Sequence, residues 1–595
     1  MVANIKTNIE RLSFPLLVIF TTLASILAIG DFNRFLAIQD TSTSGIFNTN
    51  LLLYPELYQD DVIRHLAPLG YLNPLVLVQY ILKVSFNIDP FYSSYFFLVF
   101  ANIVFVLGSF SLSKFFLNKN SLSAVATLIS LALVIQNNNL ALFGSGTSFQ
   151  VFPDMNFYAL GIICLFFTTI LNNKLFHSII YFQLLVFVHL GHAILILPIF
   201  YIYLIINLTF FRENKFYLIR IFTLSLIPLS SIFLFTSLNF INVNETVSND
   251  HILSFLVGTI GGHIYPWENQ EYFSVLFNYF AIFTVFILSI NKDLTKNFWI
   301  LFASLISMIT FYVFLHIFIL LNEISPLIKF VQLLPMRSSV YIQLLIFPII
   351  LVCFFRFLQA NKIENIKKIF LVSILIFMGS HKSFASWVFF DANYFNFGNF
   401  IIIKILFSIS LLSIFYLISK KPSIKVKNLS ISFLAILFSG FITLESFNFF
   451  YGSVYANEKD REFVTLLKWM NEKTPRESRF ITIDYHIQVN GISNRSTFRP
   501  FPFIPEVYRS QNAKAEIFSN EILDYWKISK KKTHGWFDLY DKQNIYNKFY
   551  NLNKNEIIDL KNKSNSNYFI TNNMQNKLDL PTAYIDNTHI IYKLD

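Results

Sequence analysis

Long apolar runs separated by short polar intervals extend from residue 13 to residue 450. An apolar run of about 18 residues or more is long enough to cross a membrane as a helix. The pattern therefore predicts an α-helical polytopic membrane protein with about thirteen transmembrane helices. The predicted crossings are residues 13–30, 92–113, 121–136, 154–171, 177–190, 192–211, 217–241, 272–290, 298–321, 339–357, 368–388, 399–418 and 429–450.

The crossings at 177–190 and 192–211 belong to a single apolar run. At about 35 residues, this run is too long for one transmembrane helix. Gly191 lies in its middle, where a residue without a side chain permits a sharp change of chain direction. We therefore expect two helices joined by a tight turn.

Lysine and arginine are distributed unequally between alternate loops. If Lys6 and Arg11 are cytoplasmic, about 18 of these residues fall on the cytoplasmic side and about five on the other. The bias predicts a multi-pass protein of the bacterial inner (cytoplasmic) membrane with its N-terminus in the cytoplasm. An odd number of crossings then places the C-terminal region outside. The first run has an alternative interpretation, because Lys6, Arg11 and Ala28-Ile29-Gly30 also fit a cleavable signal peptide.

The sequence becomes more polar after Tyr451, with acidic and basic residues in mixed order. Residues 461–472 have apolar side chains at helical spacing, and Thr474-Pro475 ends this helix. Strands are predicted at 479–484, 568–571 and 590–594, with helices near 514–527 and 554–562. The predicted domains are a membrane domain at 1–454 with a long first outside loop at 31–91, and a small extracytoplasmic α/β domain at 455–595.

The composition excludes several classes of protein. Hydrophobic residues make up 54% of the chain and charged residues 14%, against about 25% charged residues in soluble proteins. A wholly soluble protein is therefore excluded. Cys164 and Cys353 both lie in apolar runs, which excludes a disulfide framework and a cysteine-based zinc site. No metal site and no nucleic-acid partner are predicted, and the need for a divalent metal cofactor stays open.

Ionisable residues of the membrane region collect at its predicted outer face. A charge at membrane depth costs several kcal/mol, so such residues usually face a cavity or serve a function. The candidates lie far apart in sequence but share one predicted side of the membrane. They are Asp31, Asp60, Asp61, Asp154, His189, His192, His263 and Arg337. Together they predict an outward-facing polar cavity.

The acidic candidates have both a structural and a chemical interpretation. Asp60 and Asp61 are either solvated loop residues or the cap of the following helix. Alternatively, one is a general base and the other orients it or holds a metal. Asp154 follows Pro153, so it either caps the next helix or contributes to substrate binding.

The basic candidates are equally open. His189 and His192 flank Gly191 and are either packing and turn residues or hydrogen-bond donors to a phosphate. Arg337 is either a snorkelling side chain or a phosphate ligand, for which the guanidinium fork is suited. His263, near Trp267, is either a loop-packing residue or part of a sugar-binding surface.

Several segments resemble the GT-C superfamily of integral membrane glycosyltransferases. The first predicted helix leads into a long acidic outside loop containing Tyr54-Pro55-Glu56-Leu57-Tyr58-Gln59-Asp60-Asp61, similar to a Pro-x-Leu-Tyr-x-x-Asp pattern in such proteins. A stretch like an amphipathic helix follows at 72–86. The C-terminal domain begins with Trp469-x-x-x-x-Thr474-Pro475, similar to a Trp-x-x-x-x-Thr-Pro start common there. Arg495-Ser496-Thr497-Phe498-Arg499 resembles a basic segment often found in that domain.

The resemblance implies transfer of a sugar from a polyprenyl-phosphate donor to an extracytoplasmic acceptor. Its implied partners are membrane lipid and this donor. It also implies an acidic general base in the first outside loop, a role that falls on Asp60 with Asp61 as its neighbour. Asp31, close after the first helix, is the rival for that role. The donor phosphate would lie near Arg337 and the histidine turn.

Two other classes of function stay open. A transporter or lipid flippase often contains inverted repeats and charged or broken helices at mid-membrane. The sequence shows no repeat, and its ionisable residues collect at one face, which favours an enzyme with a one-sided site. The third class is a membrane scaffold that displays the C-terminal domain without catalysing a reaction.

Overall fold

The structure is a computed structural model, with a bundle of apolar helices followed by a C-terminal α/β region. It describes residues 11–19, 21–23, 46–58, 74–118, 155–210, 215–240, 295–322, 458–483, 486–500, 513–527, 542–572 and 578–594, and positions 26, 120, 123, 124, 127, 338, 341, 342, 344 and 345. The crossings predicted at 272–290, 368–388, 399–418 and 429–450 lie outside the described residues.

The helix bundle follows the predicted apolar runs closely. Its helices are α1 (Ile46–Leu53), α2 (Pro74–Phe86), α3 (Pro90–Leu117), α4 (Met155–Leu171), α5 (Leu175–Val188), α6 (Leu190–Phe210), α7 (Lys215–Leu224), α8 (Leu226–Phe240) and α9 (Lys296–Asn322). A 3-10 helix, Pro55–Tyr58, follows α1. Within the described ranges, four helical stretches have the length and hydropathy to span a bilayer: Pro90–Leu117, Leu190–Thr209, Lys215–Phe235 and Lys296–Ile319. The chain is thus a polytopic membrane protein, and the count of thirteen crossings stays a prediction.

Two helix breaks interrupt the long apolar runs. The predicted break in the long apolar run is confirmed, but it falls at His189, where α5 ends and α6 begins, rather than at Gly191. The crossing predicted at 217–241 is divided into α7 and α8 at Ser225. Pro228 explains this division, because it cannot donate a backbone hydrogen bond to the carbonyl of Leu224 and its ring crowds that carbonyl.

Glycines allow α3 and α4 to approach closely. A side-chain carbon added to Gly161 would lie 2.7 Å from the backbone carbonyl carbon and oxygen of Val104, and one added to Gly108 would collide with the carbonyl oxygen of Gly161. Membrane helices associate largely through such close backbone packing, because lipid is as apolar as their side chains. The two glycines therefore set the contact between these helices.

The amphipathic stretch predicted at 72–86 corresponds to α2. With 13 residues, it is about 20 Å long, which is too short to span a bilayer. It buries Gln79 and exposes Ile81 and Val84. Asn87 ends the helix in a left-handed conformation, with φ of 52°, a backbone region that Asn adopts more readily than most residues.

The C-terminal region forms a five-stranded sheet with helices. Its elements are α10 (Glu458–Lys473), β1 (Arg479–Ile481), α11 (His486–Ile492), β2 (Ser496–Phe498), α12 (Ala513–Trp526), α13 (Lys542–Tyr550), α14 (Lys554–Ser564), β3 (Tyr568–Asn572), β4 (Thr582–Ile585) and β5 (His589–Lys593). The strand order is β2-β1-β3-β5-β4. The first three strands pair in parallel, and β5 pairs antiparallel with β3 and β4. The boundary predicted at 454/455 lies outside the described residues.

Buried arginines hold this region together. Arg495 donates to the carbonyls of Asn471 and Thr474, both at 2.7 Å, and its Nε donates to the Thr474 hydroxyl at 3.0 Å. Arg479 donates to the carbonyl of Ser564 at 2.6 Å. Burial lowers the pKa of Arg495. Thr474 and Arg495, both in the motifs recognised from the sequence, therefore join the end of α10 to the loop before β2.

The turn between β4 and β5 is built around Asp586. Its Oδ1 accepts the backbone N–H groups of Thr588 at 2.8 Å and His589 at 2.6 Å, and the Thr588 hydroxyl at 3.0 Å. The His589 ring lies 3.4 Å from the same oxygen. Burial alone would raise the pKa of Asp586, but these hydrogen bonds outweigh it and lower the pKa to about 2.

One side of α3 packs against the C-terminal region. Phe91, Tyr95, Val99 and Ile103 recur every four residues and join the core formed by α10 and the sheet. Residues four apart lie on the same helix face. Trp469 of α10 packs on Tyr584 of β4 in this contact, with ring centroids 5.1 Å apart. The α/β region is thus seated on the beginning of a transmembrane helix.

Candidate functional site

The structure describes two of the predicted site residues, His189 and His192 at the junction of α5 and α6. The others lie outside the described residues: Asp31, Asp60, Asp61, Asp154, His263 and Arg337. Three of those segments have described neighbours: Tyr58 before Asp60, Met155 after Asp154 and Ser338 after Arg337. The geometry of the candidate site is therefore built from the two histidines and these neighbours.

His189 forms the start of α6. Its backbone is extended, with φ of −154° and ψ of 90°. Its Nδ1 accepts the backbone N–H of His192 at 3.2 Å, and its carbonyl accepts that of Ala193 at 3.1 Å. Capping groups of this kind satisfy the first N–H groups of a helix. In the neutral ring, an accepting Nδ1 leaves the proton on Nε2, so His189 combines a turn role with a defined ring orientation.

His192 lies buried beside it. Its side chain is 4% exposed, and its Nδ1 lies 2.6 Å from the hydroxyl of Tyr341. The rings of His189 and His192 are 4.3 Å apart between centroids. Polar groups inside a membrane protein are costly unless they find partners or serve a function. We call His189, His192 and Tyr341 the His–Tyr cluster.

Tyr341 connects this cluster to the segment that contains Arg337. It is fully buried and lies four positions after Arg337, and the intervening Ser338 is also buried. The turn that holds the histidines and the residues just after Arg337 are therefore brought together. Sequence reasoning had named Arg337 but not Tyr341. The sequence did contain a sign of it. Arg337 is followed by the polar pair Ser338-Ser339 and, after Val340, by Tyr341.

A second buried tyrosine, Tyr312 of α9, contacts α6 about one turn after His192. The Tyr312 hydroxyl of α9 donates to the carbonyl of Leu195 at 2.9 Å. Pro198 lies inside α6 and cannot donate to the carbonyl of Ile194, which weakens the helix at this level. The bond from Tyr312 thus holds α9 against the part of α6 that follows the His–Tyr cluster.

The segment predicted as the first outside loop is fixed by a buried polar relay. The Thr49 hydroxyl of α1 donates to Gln79 Oε1 of α2 at 2.7 Å, and Gln79 Nε2 donates to the Ser94 hydroxyl of α3 at 2.6 Å. All three side chains are fully shielded from solvent or nearly so. Buried polar networks that are fully satisfied specify one arrangement of the elements that they join. The relay therefore fixes α1 relative to α2 and α3.

The same loop also contacts the C-terminal region. Asn50 Nδ2 donates to the carbonyl of Gly491 and the Tyr58 hydroxyl to that of Asn490, each at 2.7 Å. The Arg476 guanidinium lies over the Tyr54 ring, 4.5 Å from its centroid. Tyr58 has no exposed surface and belongs to the segment recognised from the sequence. The predicted catalytic loop is thus held by the C-terminal region up to two residues before Asp60.

Within the described ranges, no three His, Cys, Asp or Glu side chains are grouped so that they could hold a metal ion.

Among solved structures, the chain is similar to ArnT from Cupriavidus metallidurans in the apo state, at 9% identity and a TM-score of 0.45. It is also similar to the same protein bound to undecaprenyl phosphate, at 9% identity and a TM-score of 0.42. Both alignments cover 98% of this chain and 97% of ArnT. Neither a protein-family model nor a curated protein matches the sequence.

The similarity to ArnT extends over nearly the full length of both chains. At these TM-scores and this identity, the likeness assigns no role to any individual residue of this chain.

Proposed function

We propose that this protein transfers a sugar from a polyprenyl-phosphate donor to an extracytoplasmic acceptor. The observation that carries the proposal is the hydrogen bond between His192 and Tyr341, 2.6 Å long. It joins the histidine turn to the residues just after Arg337, two segments for which a phosphate-binding role was one of the interpretations of the sequence. A buried His–Tyr pair beside the Arg337 segment is suited to an anionic group that enters from lipid.

The proposed reaction is an inverting displacement. The acceptor hydroxyl attacks the anomeric carbon of the donor, and the bond between that carbon and the phosphate oxygen breaks. The polyprenyl phosphate leaves with the electron pair of that bond. The hydroxyl proton passes to a carboxylate of the first outside loop, for which Asp60 is our choice, with Asp61 as its neighbour and Asp31 as the rival.

The remaining roles follow the predicted sidedness of the site. Arg337, His189 and His192 bind the donor phosphate and stabilise the charge that develops on the leaving group. Asp154 and His263 contribute to binding of the sugar or the acceptor. In this proposal the N-terminus is cytoplasmic and residues 455–595 are extracytoplasmic, so the first loop and the C-terminal region face the same compartment.

The carboxylate role is tested by three single substitutions, Asp60→Asn, Asp61→Asn and Asp31→Asn. A general base contributes about 10² to 10⁴ in rate, and Asn keeps the side-chain shape without the basicity. Transfer of labelled sugar from a polyprenyl-phosphate donor is measured in membranes and normalised to the amount of protein. We expect Asp60→Asn to lose transfer and Asp61→Asn to be milder. Loss in Asp31→Asn alone moves the base to the end of the first helix, and full activity in all three rejects glycosyl transfer at this loop.

The phosphate role is tested separately by binding. We expect His192→Ala to weaken binding of undecaprenyl phosphate by about 1.5–3 kcal/mol, the usual contribution of a hydrogen bond to a charged group. His177→Ala is the matched control, because His177 is an exposed histidine at the other end of α5. Equal binding by both variants would mean that the His–Tyr cluster has a packing role only.

A further inference from the structure

The contacts between the first loop and α11 come from groups that need partners. The last four carbonyls of an α-helix have no partner within the helix. Asn490 and Gly491 are among the last residues of α11, and their carbonyls accept hydrogen bonds from Tyr58 and Asn50, each at 2.7 Å. The end of α11 is therefore completed by side chains of the first loop.

These contacts hold the loop at two places along its length. Asn50 is inside α1, and Tyr58 is the last residue of the 3-10 helix. Between them, Arg476 lies over the Tyr54 ring at 4.5 Å and lies 3.9 Å from Glu56. Thr49, the residue before Asn50 in α1, is fixed through the buried relay to α2 and α3. The loop therefore makes hydrogen bonds to both the C-terminal region and the membrane helices.

Tyr58 is the contact nearest to the acid pair. Its side chain is completely buried although its position in sequence is an extramembrane loop. Its hydroxyl donates to the backbone carbonyl of Asn490. Substituting the side chain of Asn490 would therefore leave the acceptor in place. Asp60 and Asp61 follow it by two and three residues, so the placement of Tyr58 restricts where the chain can carry them.

We propose that α11 of the C-terminal region positions the carboxylates of the first loop for catalysis, with Tyr58 and Asn50 as positioning residues. This inference rests on the proposed function, in which one of those carboxylates is the general base. The C-terminal region is then part of the active site in the functional sense, although it supplies backbone carbonyls and no reacting group. Misplacement of a catalytic group by about 1 Å is enough to lower the rate about 100-fold.

The central test is Tyr58→Phe, which removes the hydroxyl and keeps the ring. We expect kcat for sugar transfer to fall by about 10- to 100-fold, while KM for the donor changes by less than about twofold, because the base moves and the phosphate site does not. Hydrogen–deuterium exchange of the peptide covering residues 55–65 is measured on the same full-length protein in lipid nanodiscs. We expect faster exchange in this peptide and unchanged exchange in α6.

Tyr158→Phe is the matched control. The Tyr158 hydroxyl also donates to a backbone carbonyl, that of Phe97, at 2.6 Å, but it joins α4 to α3 and not the first loop to α11. It should leave kcat and the exchange of residues 55–65 unchanged. Arg476→Gln provides a second test at a side chain that is 55% exposed, where substitutions usually change stability little. It should produce a smaller change in the same direction.

The outcomes separate this inference from the proposed function. Faster exchange at 55–65 together with a lower kcat supports the positioning role. Unchanged exchange in Tyr58→Phe overturns it, even if activity falls. Faster exchange with normal kcat also overturns it, since the loop would then be held for stability alone. If the parent protein transfers no sugar from any polyprenyl-phosphate donor, the proposed function fails, while the exchange data still decide whether α11 holds the loop.

Discussion

The helix bundle and the C-terminal region differ in what their surfaces carry. Phe216, Phe233 and Phe314 of the bundle are 91%, 72% and 69% exposed. In the described part of the C-terminal region, the most exposed large apolar side chains are Ile517 and Ile585, at 56% and 50%. Water penalises exposed aromatic surface and lipid does not. The surface of the bundle is therefore suited to contact with lipid, and that of the C-terminal region to contact with water.

Buried arginines distinguish the C-terminal region from the bundle. In the bundle, hydroxyls such as those of Thr127 and Ser304 donate to the carbonyl four residues earlier in their own helix. In the C-terminal region, Arg479 and Arg495 donate to carbonyls of other elements. The bundle therefore combines close helix contacts with a few neutral polar bonds between helices, whereas the C-terminal region uses charged arginines to join its elements.

The largest effect on stability is expected where α3 and α4 pack most closely. Gly161→Leu would push a side chain into the backbone of Val104, which lies 2.7 Å from the first added carbon. We expect a loss of about 3 kcal/mol or more, because overpacked helices must separate. Size-exclusion chromatography of detergent-extracted protein should show little folded material. Gly191→Ala is the control, since its added carbon would lie 3.3 Å from a His189 ring atom and no closer. Normal yield of Gly161→Leu would contradict the close helix contact.

Removing an arginine should damage only the C-terminal region. Arg495→Met leaves the carbonyls of Asn471 and Thr474 without the donors that they now have. Buried acceptors without partners cost about 1–3 kcal/mol each, so we expect a loss of about 2–4 kcal/mol in this region. Limited proteolysis of the full chain in nanodiscs should cleave faster within 458–594 and leave the bundle intact. Lys468→Met, at an exposed position of α10, should behave like the parent.

The two surfaces can be compared directly with one substitution in each. Phe314→Asp places a carboxylate on the exposed face of α9, where lipid contact makes it unfavourable by about 2–3 kcal/mol. Ile517→Asp places the same group on an exposed position of α12, where surface substitutions usually change stability by less than about 0.5 kcal/mol. Thermal stability of the two purified variants gives the comparison. Equal effects would mean that both surfaces face the same solvent.

The two regions also differ in how well the sequence predicted them. Long apolar runs predicted the bundle helices closely, because a membrane span requires a length that few other patterns supply. The strands β2 and β4 were missed, whereas β1, which is as short as β2, was predicted because Phe480, Ile481 and Ile483 belong to a longer apolar stretch. The division at Ser225 could have been predicted, because Pro228 is visible in the sequence.

The contacts that define the candidate site were not predictable from local patterns. The bond between His192 and Tyr341 joins positions 149 apart in sequence, and that between Tyr58 and Asn490 joins positions 432 apart. Local propensity carries no information about such pairs, because they depend on how helices pack. The sequence identified the histidine turn and the Tyr58 segment as important. It did not identify Tyr341 and Asn490, whose hydrogen bonds fix the positions of His192 and Tyr58.

The smallest effect concerns the pH dependence of the C-terminal region and involves Asp586. Its pKa in the folded protein is about 2, below its ordinary value of 3.8. A carboxyl with a lowered folded pKa stabilises the protein above the unfolded pKa, and this contribution is lost as the pH falls through the folded value. With a side chain 11% exposed, we expect a contribution on the order of 2 kcal/mol at pH 5 that disappears between about pH 4 and pH 2. Pulse proteolysis with pepsin at pH 4.5 and pH 2.5, in nanodiscs, measures it. Asp586→Asn should lower stability at pH 4.5 and flatten the dependence, whereas Asp579→Asn, at a side chain 99% exposed, should follow the parent. An unchanged pH profile in Asp586→Asn would mean that the β4–β5 turn is held by its backbone alone.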